Sequence, residues 1–269
     1  MLQIPRPSFR VAAMTVVVVL CAPVHQIDAA GVDWGYSEKN GPEHWGKHFT
    51  ICGVGKNQSP INIADERTLN ISDLVTDQQT LASKPAGFLK IDFNYQTVPL
   101  KPINNGHAIE VEYDPGSTIH VHGRSRALQQ FHFHSPSENQ INGVTFPMEV
   151  HLVHEDEEEN KTVVSVLFKE GKANPFIEKL WAHMPDQIGT QIVVPDEEIN
   201  VKDMLPSDRR YYYFNGSLTT PPCSEGVAWL VLKEPVEISQ EQIAAFRAAM
   251  GFANNRPVQP VNTRVVLTW

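Results

Sequence analysis

The sequence predicts a β-dominated α+β fold: a single domain on one large central, mostly antiparallel sheet, with short peripheral helices. Segments alternating apolar and polar residues with period two recur through the middle of the chain. Helical periodicity is confined to two stretches. No repeat, low-complexity tract or linker divides the 269 residues, a length that suits one large domain.

Residues 1–30 stand apart from that domain. Arg6 and Arg10 are the only charges before an apolar run over 11–24, and Ala29 and Ala30 follow as small residues. Basic start, short apolar centre and small-residue end form the pattern of a cleaved export signal. An uncleaved anchor is the alternative, but the run is short for a bilayer core of about 30 Å. Lipid attachment at Cys21 is disfavoured by Leu20, where a small residue is expected. The domain is therefore expected to span 31–269 in a periplasmic or secreted protein, with no membrane insertion after cleavage.

Within the domain, strands are expected over 108–113, 118–121, 130–134, 147–154, 163–168 and 227–232. Asn104-Asn105-Gly106, Asp114-Pro115-Gly116, Asn142-Gly143 and Glu170-Gly171 punctuate them as turns. A helix is expected over 174–184, stopped by Pro185. The clearest one covers 239–250, where Ser239 with Gln242 resembles a capping box and Gly251 is the stop.

Charge narrows the partners. The chain carries 22 basic and 31 acidic residues; loss of Arg6, Arg10 and Asp28 leaves 20 against 30, a net charge of −10. Such a surface repels nucleic acid and anionic membranes. The acidic run Glu155-Asp156-Glu157-Glu158-Glu159 reads as a solvated turn, because calcium loops space their ligands around a glycine. Outside the signal only Cys52 and Cys223 remain. In an exported chain that pair is most simply a disulfide, closing a loop of about 170 residues and stabilising by about 3–5 kcal/mol. Two unrelated buried thiols are the alternative.

Chemistry concentrates in Gln130-Phe131-His132-Phe133-His134. Residues two apart on a strand share a face, so His132 and His134 project together while Phe131 and Phe133 pack behind. In Glu149-Val150-His151-Leu152-Val153-His154, Glu149, His151 and Val153 share a face. His154 falls on the other and is expected to be structural. His-x-His alone is common on ordinary strands; if the two strands are neighbours, however, three imidazoles converge. Three neutral histidines with an open fourth position suit a catalytic Zn2+ site. Gln130 and Glu149, each two residues before a histidine, are placed to accept the rings' other N–H groups. A rival reading takes His132, His134 and Glu138 as a cupin-like metal motif, but Arg126 stands where that motif opens with glycine, and its second half is missing. Further on, Ser217-Leu218-Thr219-Thr220-Pro221-Pro222 reads as a rigid turn. A threonine hydroxyl there could accept a hydrogen bond from a metal-bound hydroxide while donating to a carboxylate.

Taken in order, these motifs resemble the alpha class of carbonic anhydrases. The likeness runs from Trp34-Gly35-Tyr36 through Gly41-Pro42-Glu43-His44-Trp45, Gln58-Ser59-Pro60-Ile61-Asn62-Ile63 and Asn104-Asn105-Gly106-His107. It continues through both histidine strands and the Thr219 turn to Asn254-Asn255-Arg256-Pro257. The resemblance implies reversible zinc-dependent hydration of carbon dioxide to bicarbonate and a proton, a small-molecule reaction in a monomer or homodimer. Zinc brings the pKa of bound water near neutrality, for which this family is itself the standard example.

By the same resemblance, His132, His134 and His151 hold zinc, Thr219 donates to Glu138, and the Asn254 carbonyl accepts from His134. Val153, Val163, Leu218, Val227 and Trp229, with Thr220 beside them, form the apolar wall for the substrate. His107 shuttles protons at a pKa suited to neutral pH, Tyr36 orders cavity water, and Cys52 and Cys223 pair as in exported members. Phe214 departs from the family's frequent tyrosine and forfeits its hydroxyl. A non-catalytic binding module on the same fold is the competing function; such relatives typically lose zinc histidines, and this chain keeps all three.

Overall fold

The computed structural model describes residues 33–71, 90–185 and 187–269. The expected export segment, residues 1–30, lies outside the described residues. No helix among the described residues is long and apolar enough to cross a membrane.

The period-two segments all become strands of one twelve-stranded sheet. Its spine runs Tyr211–Ser217, Glu225–Leu232, Lys161–Glu170, Met148–Glu155, Arg124–His134, Ile109–Glu112. Most pairings are antiparallel, as expected. The exceptions are Lys161–Glu170 with Glu225–Leu232 and with Val236–Ile238, and Leu69–Asn70 with Leu267–Thr268.

At the centre of the sheet, strand Lys161–Glu170 is buried on both faces. On Lys161–Glu170, Val164, Val166 and Phe168 enter the larger apolar cluster, while Val163 and Leu167 enter a second one. A strand covered on both sides needs no alternation, so the segment 163–168 is apolar on both faces apart from Ser165. Phe131 and Phe133 are fully buried in the larger cluster. Phe133 meets Trp181 at 4.9 Å and Phe246 at 6.3 Å between ring centroids, so both longer helices sit behind the histidine strand. Burial of each phenylalanine contributes about 1.5–3 kcal/mol and fixes the strand's phase, since a one-residue slip would exchange phenylalanines and histidines.

Helix Gln240–Met250 carries the expected capping box at Ser239 and ends at Gly251 with φ 73°. The other helix is shorter than expected: it spans Pro175–Trp181 rather than 174–184. Asn174 caps it from outside by accepting from Phe176 and Ile177 N–H groups. Past Trp181 the chain tightens, with His183 N donating to Leu180 O at 3.0 Å, because Pro185 disfavours helix in the residue before it. The histidine strand starts at Arg124 rather than 130, joined to Thr118–Val121 through His122 and Gly123, at φ 52° and 75°. Two consecutive positive φ values match a tight hairpin turn.

Candidate metal centre

Strand register brings the three histidines together. His151 stands opposite His132, Glu149 opposite His134 and Val153 opposite Gln130. Ring centroids are 5.1 Å apart for His132 and His134, 5.3 Å for His132 and His151, and 4.6 Å for His134 and His151. One nitrogen from each lies within 4.8 Å of the other two.

The outer nitrogens are taken. His132 Nδ1 donates to Gln130 Oε1 at 2.8 Å, and His134 Nδ1 to the Asn254 carbonyl at 2.7 Å. His151 Nε2 lies 3.0 Å from Glu149 Oε1, close enough to pair although not aligned as a hydrogen bond. This leaves His132 Nε2, His134 Nε2 and His151 Nδ1 as the atoms that could face a metal, and His134 Nε2 is buried with no hydrogen-bond partner among the described residues. Burial, reinforced by its histidine neighbours, holds His132 well below the usual imidazole pKa. Burial also lowers His134, against the opposing pull of the Asn254 carbonyl and Glu149. Three imidazoles converging on one point, with no thiolate, fit a zinc site that keeps an open position.

Behind His151, Glu149 is fully buried and saturated. It accepts from Glu138 N at 2.7 Å, Asn139 N at 2.8 Å, Asn139 Nδ2 at 2.7 Å and Ser165 Oγ at 2.5 Å. Burial alone would raise its pKa; the His151 charge and the hydrogen bonds reverse this and hold it at about 2. Asn139 and Ser165 escape sequence reasoning, although Ser165 leaves a trace as the one polar residue within 163–168. Its register partner is His151.

Glu138 closes the other side. Its Oε2 lies 3.5 Å from His134 Nε2 and 3.8 Å from His151 Nδ1, and its Oε1 accepts from Arg256 N at 2.8 Å. Burial pushes its pKa up to about 7, against the lowering effects of His151, the Arg256 N–H and the Thr219 hydroxyl. The Arg256 guanidinium, also buried, donates to Gln58 Oε1 and to the Ser59 and Cys52 carbonyls. Nothing in the motif pattern singled out that arginine as Glu138's partner.

Val153, Val163, Leu218, Val227 and Trp229 belong to one cluster. Val153 opposes both Gln130 and Val163, and Val163 opposes Trp229, so a row of side chains runs across the sheet from the Gln130 side of the site. The Trp229 ring sits edge-on to His151 at 4.8 Å. Half-buried Thr220 lies outside this cluster, its carbonyl accepting from Cys223 N at 2.9 Å. Gly216 allows the neighbouring segment to close up, since a Cβ there would stand 2.1 Å from Ser59 Oγ. Phe214, without a hydroxyl, stacks on Trp229 at 6.0 Å.

Tyr36 packs between Trp45 and Phe252, and its buried hydroxyl has no hydrogen-bond partner among the described residues. Its pKa rises well above the phenolic value through burial and the Glu138 charge. His107 lies half-buried with its ring stacked on Trp34, centroids 3.8 Å apart and 9° from parallel. Asn105 Oδ1 accepts from both His107 N and Ala108 N, setting that turn. Cys52 and Cys223 form a disulfide, which resolves the two alternatives left by cysteine count. His154 faces away from the site, bonded through Nε2 to Tyr95 Oη at 2.9 Å.

A family model described as eukaryotic-type carbonic anhydrase matches residues 40–269. A carbonic anhydrase of Neisseria gonorrhoeae is 43% identical over 270 residues, covering 98% of this chain and 99% of that protein. One from Pectobacterium carotovorum is 43% identical over 239 residues, 88% of this chain and 91% of that protein. The solved alpha-carbonic anhydrase of Thermovibrio ammonificans, in complex with the inhibitor sulfanilamide, superposes with a TM-score of 0.80 at 44% identity. That match covers 88% of this chain and all of the other. These matches remove the cupin-like reading, and the chain belongs to the alpha, or eukaryotic-type, carbonic anhydrase family.

Proposed function

We propose that this enzyme catalyses the zinc-dependent, reversible hydration of carbon dioxide to bicarbonate and a proton. The observation that carries the reading is the convergence of three imidazole nitrogens within 4.8 Å, on a sheet face shared with an apolar wall. His132 and His134 would hold zinc through Nε2, and His151 through Nδ1. Zinc, when bound, supplies a water that deprotonates near neutral pH, a property for which this family is the standard example rather than one read from this chain.

The chain's own residues divide the remaining work. The Thr219 hydroxyl lowers the Glu138 pKa; donating to that carboxylate would leave it only acceptor capacity for the metal side, so that it favours a partner that can donate. Val153, Val163, Leu218, Val227 and Trp229, flanked by Thr220, give apolar CO2 a surface without competing hydrogen bonds. Gln130, Glu149 and the Asn254 carbonyl hold the three rings in orientation. Tyr36 Oη orders cavity water, and His107 carries the released proton outward. CO2 and water enter; bicarbonate and one proton leave.

The proposed setting is the periplasm or the medium, with residues 1–30 removed and 31–269 forming the mature domain, a monomer or homodimer. The Cys52–Cys223 disulfide supports an oxidising compartment. The excess of acidic residues speaks against nucleic-acid partners. Zinc content by atomic spectroscopy together with stopped-flow CO2 hydration tests the reading. Purified folded protein with neither zinc nor hydration activity after zinc addition would reject it.

A further inference from the structure

Asn254 is fully buried, and every polar group of its side chain is used. Oδ1 accepts from Ser135 N at 2.9 Å, and Nδ2 donates to Phe133 O at 2.8 Å and to His107 O at 3.0 Å. The first two contacts grip the end of the strand that carries His132 and His134. The third grips the turn that carries His107. Separately, the Asn254 backbone carbonyl takes the His134 Nδ1 proton at 2.7 Å. A buried amide with both hydrogens and its oxygen engaged keeps its orientation, because turning it would strand donors and acceptors away from water. The amide is thus a rigid spacer between the histidine strand and the turn whose ring stacks on Trp34.

We propose that the Asn254 side-chain amide is a positioning residue for proton release, setting the place of the His107 turn relative to the metal site. This role is distinct from the backbone contact by which the same residue orients His134. It rests on His107 being the shuttle, as proposed above.

Asn254→Ala removes all three side-chain bonds and keeps the backbone carbonyl. Asn254→Asp is nearly isosteric and keeps the Ser135 contact, but turns an oxygen toward the His107 and Phe133 carbonyls. In zinc-loaded protein, buffer-poor turnover should fall about threefold to tenfold, the worth of one hydrogen bond. Buffer-poor turnover should fall by a larger factor than kcat/KM for CO2, because the hydration step does not use the shuttle whereas Asn254 also touches the histidine strand. Compared at equal zinc occupancy, added imidazole should restore the part of turnover lost beyond the change in kcat/KM. In a His107→Ala background the Asn254 substitutions should cause no further loss.

A readout independent of activity is the His107 Cε1–H proton resonance in zinc-free protein. The face of Trp34 should displace it upfield in the wild type, and both variants should move it toward the value of an unstacked ring. A folded variant with an unmoved His107 resonance would overturn the proposal, as would equal losses in buffer-poor turnover and kcat/KM at equal zinc occupancy. Should the alanine variant fail to fold, the aspartate variant carries the same readings; a wild-type resonance without upfield displacement overturns the proposal without any variant. Wild-type protein that lacks zinc and activity would instead sink the proposed function, leaving the resonance to judge the Asn254–His107 link alone.

Discussion

Ser165 Oγ donates to Glu149 Oε1 at 2.5 Å from directly across the strand pair that carries His151. Together with two backbone N–H groups and the Asn139 amide, it saturates a carboxylate that has no contact with water. A buried carboxylate so surrounded stays ionised through the whole neutral range, and its pKa is held at about 2. His151 therefore always faces a fixed negative charge, which sets its ring orientation and favours one tautomer.

Glu149→Gln removes that charge and forces an NH2 group toward donors or toward the His151 ring. Zinc affinity should fall about 10- to 100-fold, measured by competition with a chelator such as dipicolinate. Ser165→Ala deletes only one of several contacts, so a loss of about fivefold is expected. Unchanged zinc affinity in the glutamine variant would show that the carboxylate does not orient His151.

The Thr219 hydroxyl and Glu138 should behave as a unit. Thr219→Val keeps the shape and removes the hydroxyl; Glu138→Gln keeps the shape and adds a competing donor. Each should lower kcat/KM by about 10- to 100-fold, the range for one hydrogen bond to a charged group, with zinc content unchanged. The double variant should be little worse than either single one. Additive losses in that cycle would show that the two act independently.

The metal-facing side of the site was legible because strand periodicity translates directly into direction. Once 130–134 and 147–154 read as strands, the faces of Gln130, His132, His134, Glu149, His151 and Val153 follow, and only the register remains to be supplied. The supports at the back were not legible in that way. The Arg256 amide and the Asn254 side chain reach Glu138 and His107 across separations of 118 and 147 residues from a segment without periodicity. Ser165 makes sense only after its register with His151 is known. Tyr211–Ser217 was missed as a strand because both of its faces are covered: Tyr211 enters one apolar cluster, Tyr212 and Phe214 the other, and alternation disappears. The premature end of helix Pro175–Trp181 reflects a tightened last turn that a proline several residues later marks only loosely.

The disulfide joins the Thr219 turn to the segment beneath Arg256, through Cys223 and the Cys52 carbonyl that the guanidinium binds. Replacing both cysteines by serine should lower unfolding stability by about 3–5 kcal/mol, mostly through a less restricted unfolded chain. Urea unfolding of the two proteins measures this. The proposed zinc ligands lie on strands the bond does not touch, so zinc stoichiometry at 25 °C should survive. A midpoint unchanged by the double substitution would mean that the cross-link does not restrict the unfolded chain as expected.

His154 should make this protein acid-sensitive in a way that can be isolated. Burial pushes its pKa down to about 3, with Arg126 adding to the effect and carbonyl contacts at Thr162 and Leu152 opposing it. The folded ring is neutral, donating from Nδ1 to Thr162 O at 3.3 Å and accepting at Nε2 from Tyr95 Oη at 2.9 Å. In the unfolded chain the same ring titrates near 6.5. Between those two values the unfolded state holds a proton that the folded state refuses, so stability is complete above about pH 6.5 and declines as pH falls toward 3. The decline should approach about 1.4 kcal/mol per pH unit for this one group. His154→Phe gives up the Tyr95 bond and should be less stable by about 1–3 kcal/mol at pH 8. It has no proton to refuse, however, so its stability should fall less steeply between pH 6.5 and 4.5, and the two curves should converge. Urea unfolding of the zinc-free proteins at a series of pH values makes the comparison without metal release. Parallel curves over that window would show that His154 takes up its proton in the folded state.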